Sequence, residues 1–215
     1  MSKLSEGLLD IFFPPKCAFC RRRLRAGETG MCEECRRTLP YREHPKEKGP
    51  AFVEYVCAPL KYEGTVRDAL HRYKFKGMTA YARLFGSLVA QCARENLAGE
   101  YDLISWVPLS SERLHERGYD QAMLIALAAA LELDDVAVET LRKIRNAAPQ
   151  SGTESAEERR ANISGAYEVI DPERVREKRI LLIDDIITTG STVSECARTL
   201  GLAGAESVVC VCLAR

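Results

Sequence analysis

The sequence predicts an α/β protein, with a mainly parallel sheet covered by helices on both faces and a small four-cysteine metal-binding module in front of it. Three observations carry this reading. Near-continuous apolar runs at 102–107 (DLISWV), 179–184 (RILLID) and 207–214 (SVVCVCLA) alternate with segments of helical periodicity, the pattern of strands buried on both faces. Four of the nine cysteines crowd between Cys17 and Cys35. Between the two regions lies 41–50 (YREHPKEKGP), polar and holding two prolines and a glycine, which reads as a linker. The expected division is a metal-binding domain over 1–45 and an α/β domain over 51–215.

In chain order, 52–62 reads as a strand with Gly64 as punctuation. Residues 65–75 and 79–96 read as helices, the second with an apolar stripe through Leu84, Leu88 and Val89. The strand at 102–107 is ended by Pro108. A helix over 120–133 opens on Asp120 as N-cap. A short strand follows at 136–142, then a polar, breaker-rich loop at 144–154 and a short helix at 155–162. Strand 179–184, helix 191–203 and strand 207–214 complete the domain. Cys210 and Cys212 share one face of that last strand and, with Cys196, read as small core residues.

The 215 residues are 46% hydrophobic and 29% charged, which excludes collagen-like, disordered and membrane-dominated chains. Lys+Arg and Asp+Glu both number 31, so binding to nucleic acid or a membrane surface has to come from local patches. One such excess lies over 1–48, with eleven Lys/Arg against seven Asp/Glu. The apolar stretch Leu8, Leu9, Ile11, Phe12, Phe13 is short and flanked or interrupted by Glu6 and Asp10, unlike a signal peptide. No apolar run approaches the ~20 residues of a membrane span. An odd cysteine count without a leader fits a reducing, cytoplasmic compartment, where clustered cysteines point to metal.

Cys17-x2-Cys20-x11-Cys32-x2-Cys35 forms two knuckles around a basic loop. A two-residue gap lets both thiolates of a knuckle reach one ion, and two knuckles complete a tetrahedral four-thiolate shell suited to zinc. Thirty-odd residues bury too little core to fold unaided, so the metal would supply folding energy. Four protein ligands leave no open position, so the expected zinc is structural.

Residues 180–192 read ILLIDDIITTGST. A buried strand delivers Asp184 and Asp185 at its carboxyl end, where open parallel sheets bind ligands. Thr188, Thr189, Gly190, Ser191 and Thr192 then open a helix. Free N–H groups at a helix N-terminus, with several hydroxyls, cradle an anion. Two carboxylates beside them accept hydrogen bonds from vicinal hydroxyls. Phosphate next to a diol describes a ribose 5-phosphate. A Walker B strand looks similar, but the chain has no GxxxxGK[ST].

This segment resembles the phosphoribosyl-pyrophosphate (PRPP) motif of type I phosphoribosyltransferases, and the whole chain is similar to the ComF family. The resemblance runs through the cysteine knuckles, Lys61-Tyr62-Glu63-Gly64 with Arg67, Tyr73-Lys74-Phe75-Lys76-Gly77, Val107-Pro108-Leu109, and Arg113-Leu114 through Arg117-Gly118-Tyr119 to Gln121. It continues in Pro149-Gln150, Arg160, Asn162, Gly165-Ala166-Tyr167 and the terminal Leu213-Ala214-Arg215. It implies a type I phosphoribosyltransferase fold binding PRPP with Mg²⁺. Asp184 and Asp185 would hold the ribose hydroxyls, and Thr188 to Thr192 the 5-phosphate. The pyrophosphate loop would include Leu109, Ser110 and Ser111, with Arg113 and Arg117 as further contacts; a charged helix face shared with Glu112 and Glu116 is the alternative for the two arginines. Arg142, Lys143 and Arg145 would stand at the entry to a catalytic hood. Two positions depart from the family pattern: Asp120 stands where Asn is expected, and Thr153 where an apolar residue is commoner.

Residues 61–86 interleave six Lys/Arg with Tyr62, Tyr73, Phe75 and Tyr81. Cations track phosphates and rings stack bases, so Lys61, Arg67, Arg72, Lys74, Lys76 and Tyr73 are candidate contacts to single-stranded DNA; a solvated basic helix face is the alternative. The resemblance adds a role in DNA uptake and a DNA-translocating ATPase, ComFA, as partner. Three functions fit: a PRPP-binding protein of DNA uptake, a phosphoribosyltransferase of unidentified acceptor, and a PRPP-sensing regulator. No residue is singled out as catalytic.

Overall fold

The computed structural model describes residues 14–144 and 165–215. Arg145, Pro149, Gln150, Thr153, Arg160, Asn162, the N-terminal apolar stretch and the 155–162 helix lie outside the described residues. The elements are α1 (Glu33–Thr38), β1 (Lys46–Lys48), β2 (Tyr55–Cys57), α2 (Gly64–Phe75), α3 (Tyr81–Asn96), β3 (Leu103–Trp106) and α4 (Ser111–Arg117). They continue with α5 (Gln121–Glu132), β4 (Leu141–Lys143), β5 (Tyr167–Val169), α6 (Pro172–Val175), β6 (Arg179–Ile186), α7 (Ser191–Leu202) and β7 (Ser207–Ala214). None of these helices is long and apolar enough to cross a membrane.

The main sheet has the order β1-β2-β7-β6-β3. β2, β7, β6 and β3 run parallel, and β1 closes one edge antiparallel to β2. β6 and β7 are buried on both faces, and the pleat divides their side chains between two cores. Leu181, Ile183, Val209, Val211 and Leu213 pack towards α2, α3 and α5. Ile180, Leu182, Val208, Cys210 and Cys212 pack towards α7, where Val193, Cys196 and Leu200 meet them. A second sheet of β4 and β5, antiparallel, stands apart.

The polar linker expected at 41–50 is structured. Lys46-Glu47-Lys48 forms β1, and Lys46 Nζ lies 2.9 Å from Glu100 Oε1. A short, charged strand suits an exposed sheet edge, because it satisfies the inner neighbour while discouraging further pairing. The strand expected at 52–62 contracts to three residues, and that at 136–142 to Leu141–Lys143.

The cysteine module packs directly on the α/β core. Phe19 and Phe85 bring their ring centroids to 6.0 Å. Arg72 Nη2 donates to the carbonyls of Ala18 and Phe19, both at 2.8 Å. Arg21 Nη1 donates to Tyr81 Oη at 2.8 Å.

Candidate functional site

The Asp pair stands near the carboxyl end of β6, followed in the strand by Ile186. Successive strand residues point to opposite faces, so Asp184 follows Leu182 towards the α7 side and Asp185 follows Ile183 towards the α2 side. Asp185 is buried and meets Lys74 Nζ, from α2, at 2.9 Å. Asp184 keeps partial solvent access at the mouth of a cleft but is crowded by protein atoms, and its Oδ1 accepts the Asp185 N–H at 2.8 Å. Burial first, and then the Asp185 carboxylate, push Asp184 well above the ordinary carboxylate range.

The cleft is a cavity of about 150 Å³. Its far wall is Val107, Pro108 and Leu109, the loop that follows β3. Cations reach it from two further elements: Arg113 and Arg117 from α4, and Lys143 from β4. Burial, then Arg113, lowers both Arg117 and Lys143 from their usual values, so an anion in the cleft would relieve crowded positive charge. Arg117 is held in place, with Nη1 2.7 Å from Gln121 Oε1 and its guanidinium 4.8 Å from the Phe75 ring centroid. Lys143 lies 5.4 Å from the ring centroid of Tyr167, another wall residue.

Asp120 is the N-cap of α5, accepting the Met123 N–H at 3.0 Å on Oδ1. Its Oδ2 accepts the Leu109 N–H at 2.8 Å and so ties down the loop after β3. An Asn at this place would supply one acceptor oxygen; Asp supplies two. Ser110 is buried and caps α4, and Ser111 is exposed as its first residue; neither lines the cleft. The row from Leu109 to Arg117 therefore separates into a wall residue, a cap and two cleft cations.

Beside Asp184 the chain turns through Ile187, Thr188 and Thr189 into α7, around a small cavity of about 60 Å³ lined by Thr188, Thr189, Gly190, Ser191 and Thr192. Gly190 has φ +76°, and a Cβ there would lie 2.8 Å from Pro50 Cγ, so only glycine allows the turn and the approach of the 50–52 loop. Thr189 Oγ1 and Ser191 Oγ are 3.0 Å apart. The first-turn N–H groups of α7 have no intrahelical acceptor. Hydroxyls and amides converge here as donors for a tetrahedral oxyanion.

The basic–aromatic segment divides. Lys61, Arg67 and Lys76 are exposed. Arg72 is bound to the cysteine module, and Lys74 turns into the cleft. Tyr73 is fully buried, with Oη donating to the Gln121 carbonyl at 2.9 Å, so its ring is not available to stack a base. It lies on the core face of α2 with Val66, Ala69 and Leu70, and helical periodicity outweighs its place among cations.

The sulfurs of Cys17, Cys20, Cys32 and Cys35 lie within 4.8 Å of one another. A tetrahedral zinc about 2.3 Å from each sulfur needs S···S separations near ~3.8 Å, and Cys20 and Cys32 are 3.7 Å apart. Burial disfavours the Cys17 thiolate, but N–H groups of Cys32, Cys20 and Phe19 turned to the sulfur bring its pKa down to about 7. Burial and the neighbouring sulfurs push Cys35 up, so four thiolates this close need a cation to ionise together. The donor set fits zinc.

The sequence alone puts Lys74 on a candidate nucleic-acid face and Lys143 at the entry to a hood, and does not mark Tyr167 for the cleft. Only the fold brings them together.

Residues 120–215 match the phosphoribosyl transferase domain and residues 8–46 the double zinc ribbon domain. The chain is 27% identical to competence protein F of Haemophilus influenzae, over 95% of this chain and 98% of that protein. It is 29% identical to the DNA utilization protein YhgH of Salmonella typhimurium, over 94% of this chain and 97% of that protein. It is also 29% identical to competence protein ComFC of Streptococcus pneumoniae, over 74% of this chain and 67% of that protein.

Proposed function

We propose that this chain, a homologue of competence protein F, ComFC and YhgH in which a double zinc ribbon precedes a phosphoribosyl transferase domain, binds PRPP or a related ribose 5-phosphate with Mg²⁺ and acts in the handling of DNA during competence. The observation that carries the ligand is the meeting of two carboxylates and an oxyanion loop at the end of one strand, facing cations from two other elements. The 5-phosphate takes the hydroxyls and amides of Thr188 to Thr192. The ribose hydroxyls donate to Asp184 and Asp185. The diphosphate lies towards Leu109, Arg113, Arg117 and Lys143. Mg²⁺, when bound, neutralises diphosphate charge, and carboxylate oxygens are the hard donors it accepts.

Contact with single-stranded DNA is the second part of the proposal. Lys61, Arg67 and Lys76 are exposed, and Tyr62 and Phe75 show 39% and 56% of their surface beside them. A DNA-translocating ATPase of the ComFA kind is the partner this role calls for. Transferase and PRPP sensor share every site residue, and turnover with candidate acceptor bases separates them.

The test is thermal denaturation with and without Mg²⁺ and PRPP, for wild type and Asp184→Asn/Asp185→Asn. Ligand at a hundred times its Kd stabilises by about 2.7 kcal/mol, a rise of several degrees at this size. The rise is expected in wild type and lost in the double variant. An unmoved wild-type midpoint at millimolar PRPP overturns the ligand assignment.

A further inference from the structure

Lys74 stands where the carboxylate side of the cleft meets the cationic side. Its Nζ lies 2.9 Å from Asp185 Oδ1, and it lines the same cavity of about 150 Å³ as Arg113 and Arg117. Its backbone is fixed by its neighbours. Tyr73 donates to the Gln121 carbonyl and its own carbonyl accepts from Tyr119 Oη, while the Phe75 ring lies under Arg117. Only the four-carbon stem of Lys74 is free to turn, and the ammonium carries more donors than one carboxylate oxygen uses.

Asp185 cannot simply be left. Its side chain is 9% exposed, so water cannot replace the ammonium, and a bare carboxylate beside Asp184 is costly. A ligand whose hydroxyl takes over Asp185 Oδ1 must therefore give Lys74 another anion at the same time. A ribose 5-phosphate fills the oxyanion loop but brings no anion to the Lys74 end of the cleft. A ribose carrying a 1-diphosphate brings one.

We propose that Lys74 makes this cleft selective for a diphosphorylated ribose, holding Asp185 until a diphosphate draws the ammonium away and frees the carboxylate for the ribose hydroxyls. This rests on the PRPP reading above and adds the residue that enforces it.

Calorimetric titration of the full-length, zinc-loaded protein tests it, with PRPP and Mg²⁺, with ribose 5-phosphate, and with inorganic diphosphate without magnesium. In Lys74→Gln, PRPP and diphosphate should weaken by about 10- to 100-fold, the worth of a charge-assisted hydrogen bond, while ribose 5-phosphate holds or tightens. Asp185→Asn supplies an arm of opposite sign should Lys74→Gln not fold. It releases the ammonium, so diphosphate should bind more tightly than to wild type, and more tightly than to Asp184→Asn, which removes a carboxylate without untying Lys74. Equal weakening of both ribose ligands in folded Lys74→Gln, or no gain of diphosphate in Asp185→Asn over Asp184→Asn, sinks the proposal while PRPP binding stands. A wild-type protein that binds none of the three ligands removes the PRPP reading and this inference with it.

Discussion

Asp184 is held in a place that disfavours its charge. Its pKa in the folded state is raised, by burial first and by Asp185 second, so the folded chain keeps this proton to higher pH than the unfolded chain does. The sign follows: below the unfolded value of about 3.9 the residue costs nothing, and stability falls as pH rises from there through the folded value. Asp184→Asn should therefore raise the denaturation midpoint at pH 7 and flatten its decline above the acid range, while losing the response to PRPP. An Asn variant less stable than wild type at pH 7 would contradict this. The same pair shows what was readable beforehand. Asp184, Asp185 and the Thr188–Thr192 row are contiguous, so strand, carboxylates and loop stand together in the sequence. Lys74, Lys143 and Tyr167 reach the cleft from α2, β4 and β5, and nothing local to them names their common destination. Asp120 was legible as a cap, but its second bond, to the Leu109 N–H, depends on tertiary approach.

Among elements, α3 and α5 pack closely against each other at Gly86. A Cβ on Gly86 would stand 2.5 Å from Ala128 Cβ and 2.9 Å from the Ala128 and Ala129 backbone. Gly86→Ala gains helix propensity of about 1 kcal/mol, yet backbone on the far side cannot yield as a flexible side chain would. The expected net result is a loss of about 1–3 kcal/mol, read as a lower urea midpoint; an unchanged or higher midpoint would show that the helices separate freely. The long periodic segments, α3, α5, β6, α7 and β7, were predicted to within a few residues, because each carries its own burial pattern. Of the short ones β3 was also predicted, at 102–107, while β1, β5 and α6 were not. β1 is held by pairing with β2, β5 by pairing with β4, and α6 by the Asp171 cap with Pro172 behind it. Their stability lies in their partners, which a local window does not contain.

At the scale of the whole molecule, the zinc ribbon is part of the core. Cys17, Cys32, Phe19 and Met31 are buried in the same apolar cluster as Phe85 and Leu70, and Arg72 binds the first knuckle to α2. Removing zinc should unfold the ribbon, uncover Phe85 and lower the melting midpoint of the entire chain in one transition. A melt unchanged after complete chelation would show that the ribbon is an independent appendage. The pleat of β6 has a consequence of a different kind. Asp184 and Asp185 emerge on opposite sides of the sheet, one over the α7 core and the other over the core that carries the ribbon. A sugar gripping both at the end of β6 would act as a clasp over the rim of the sheet, fastening the layer on one face to the layer on the other. Hydrogen exchange should then slow on α2 and α7 together when ligand binds, although they lie on opposite faces of the sheet.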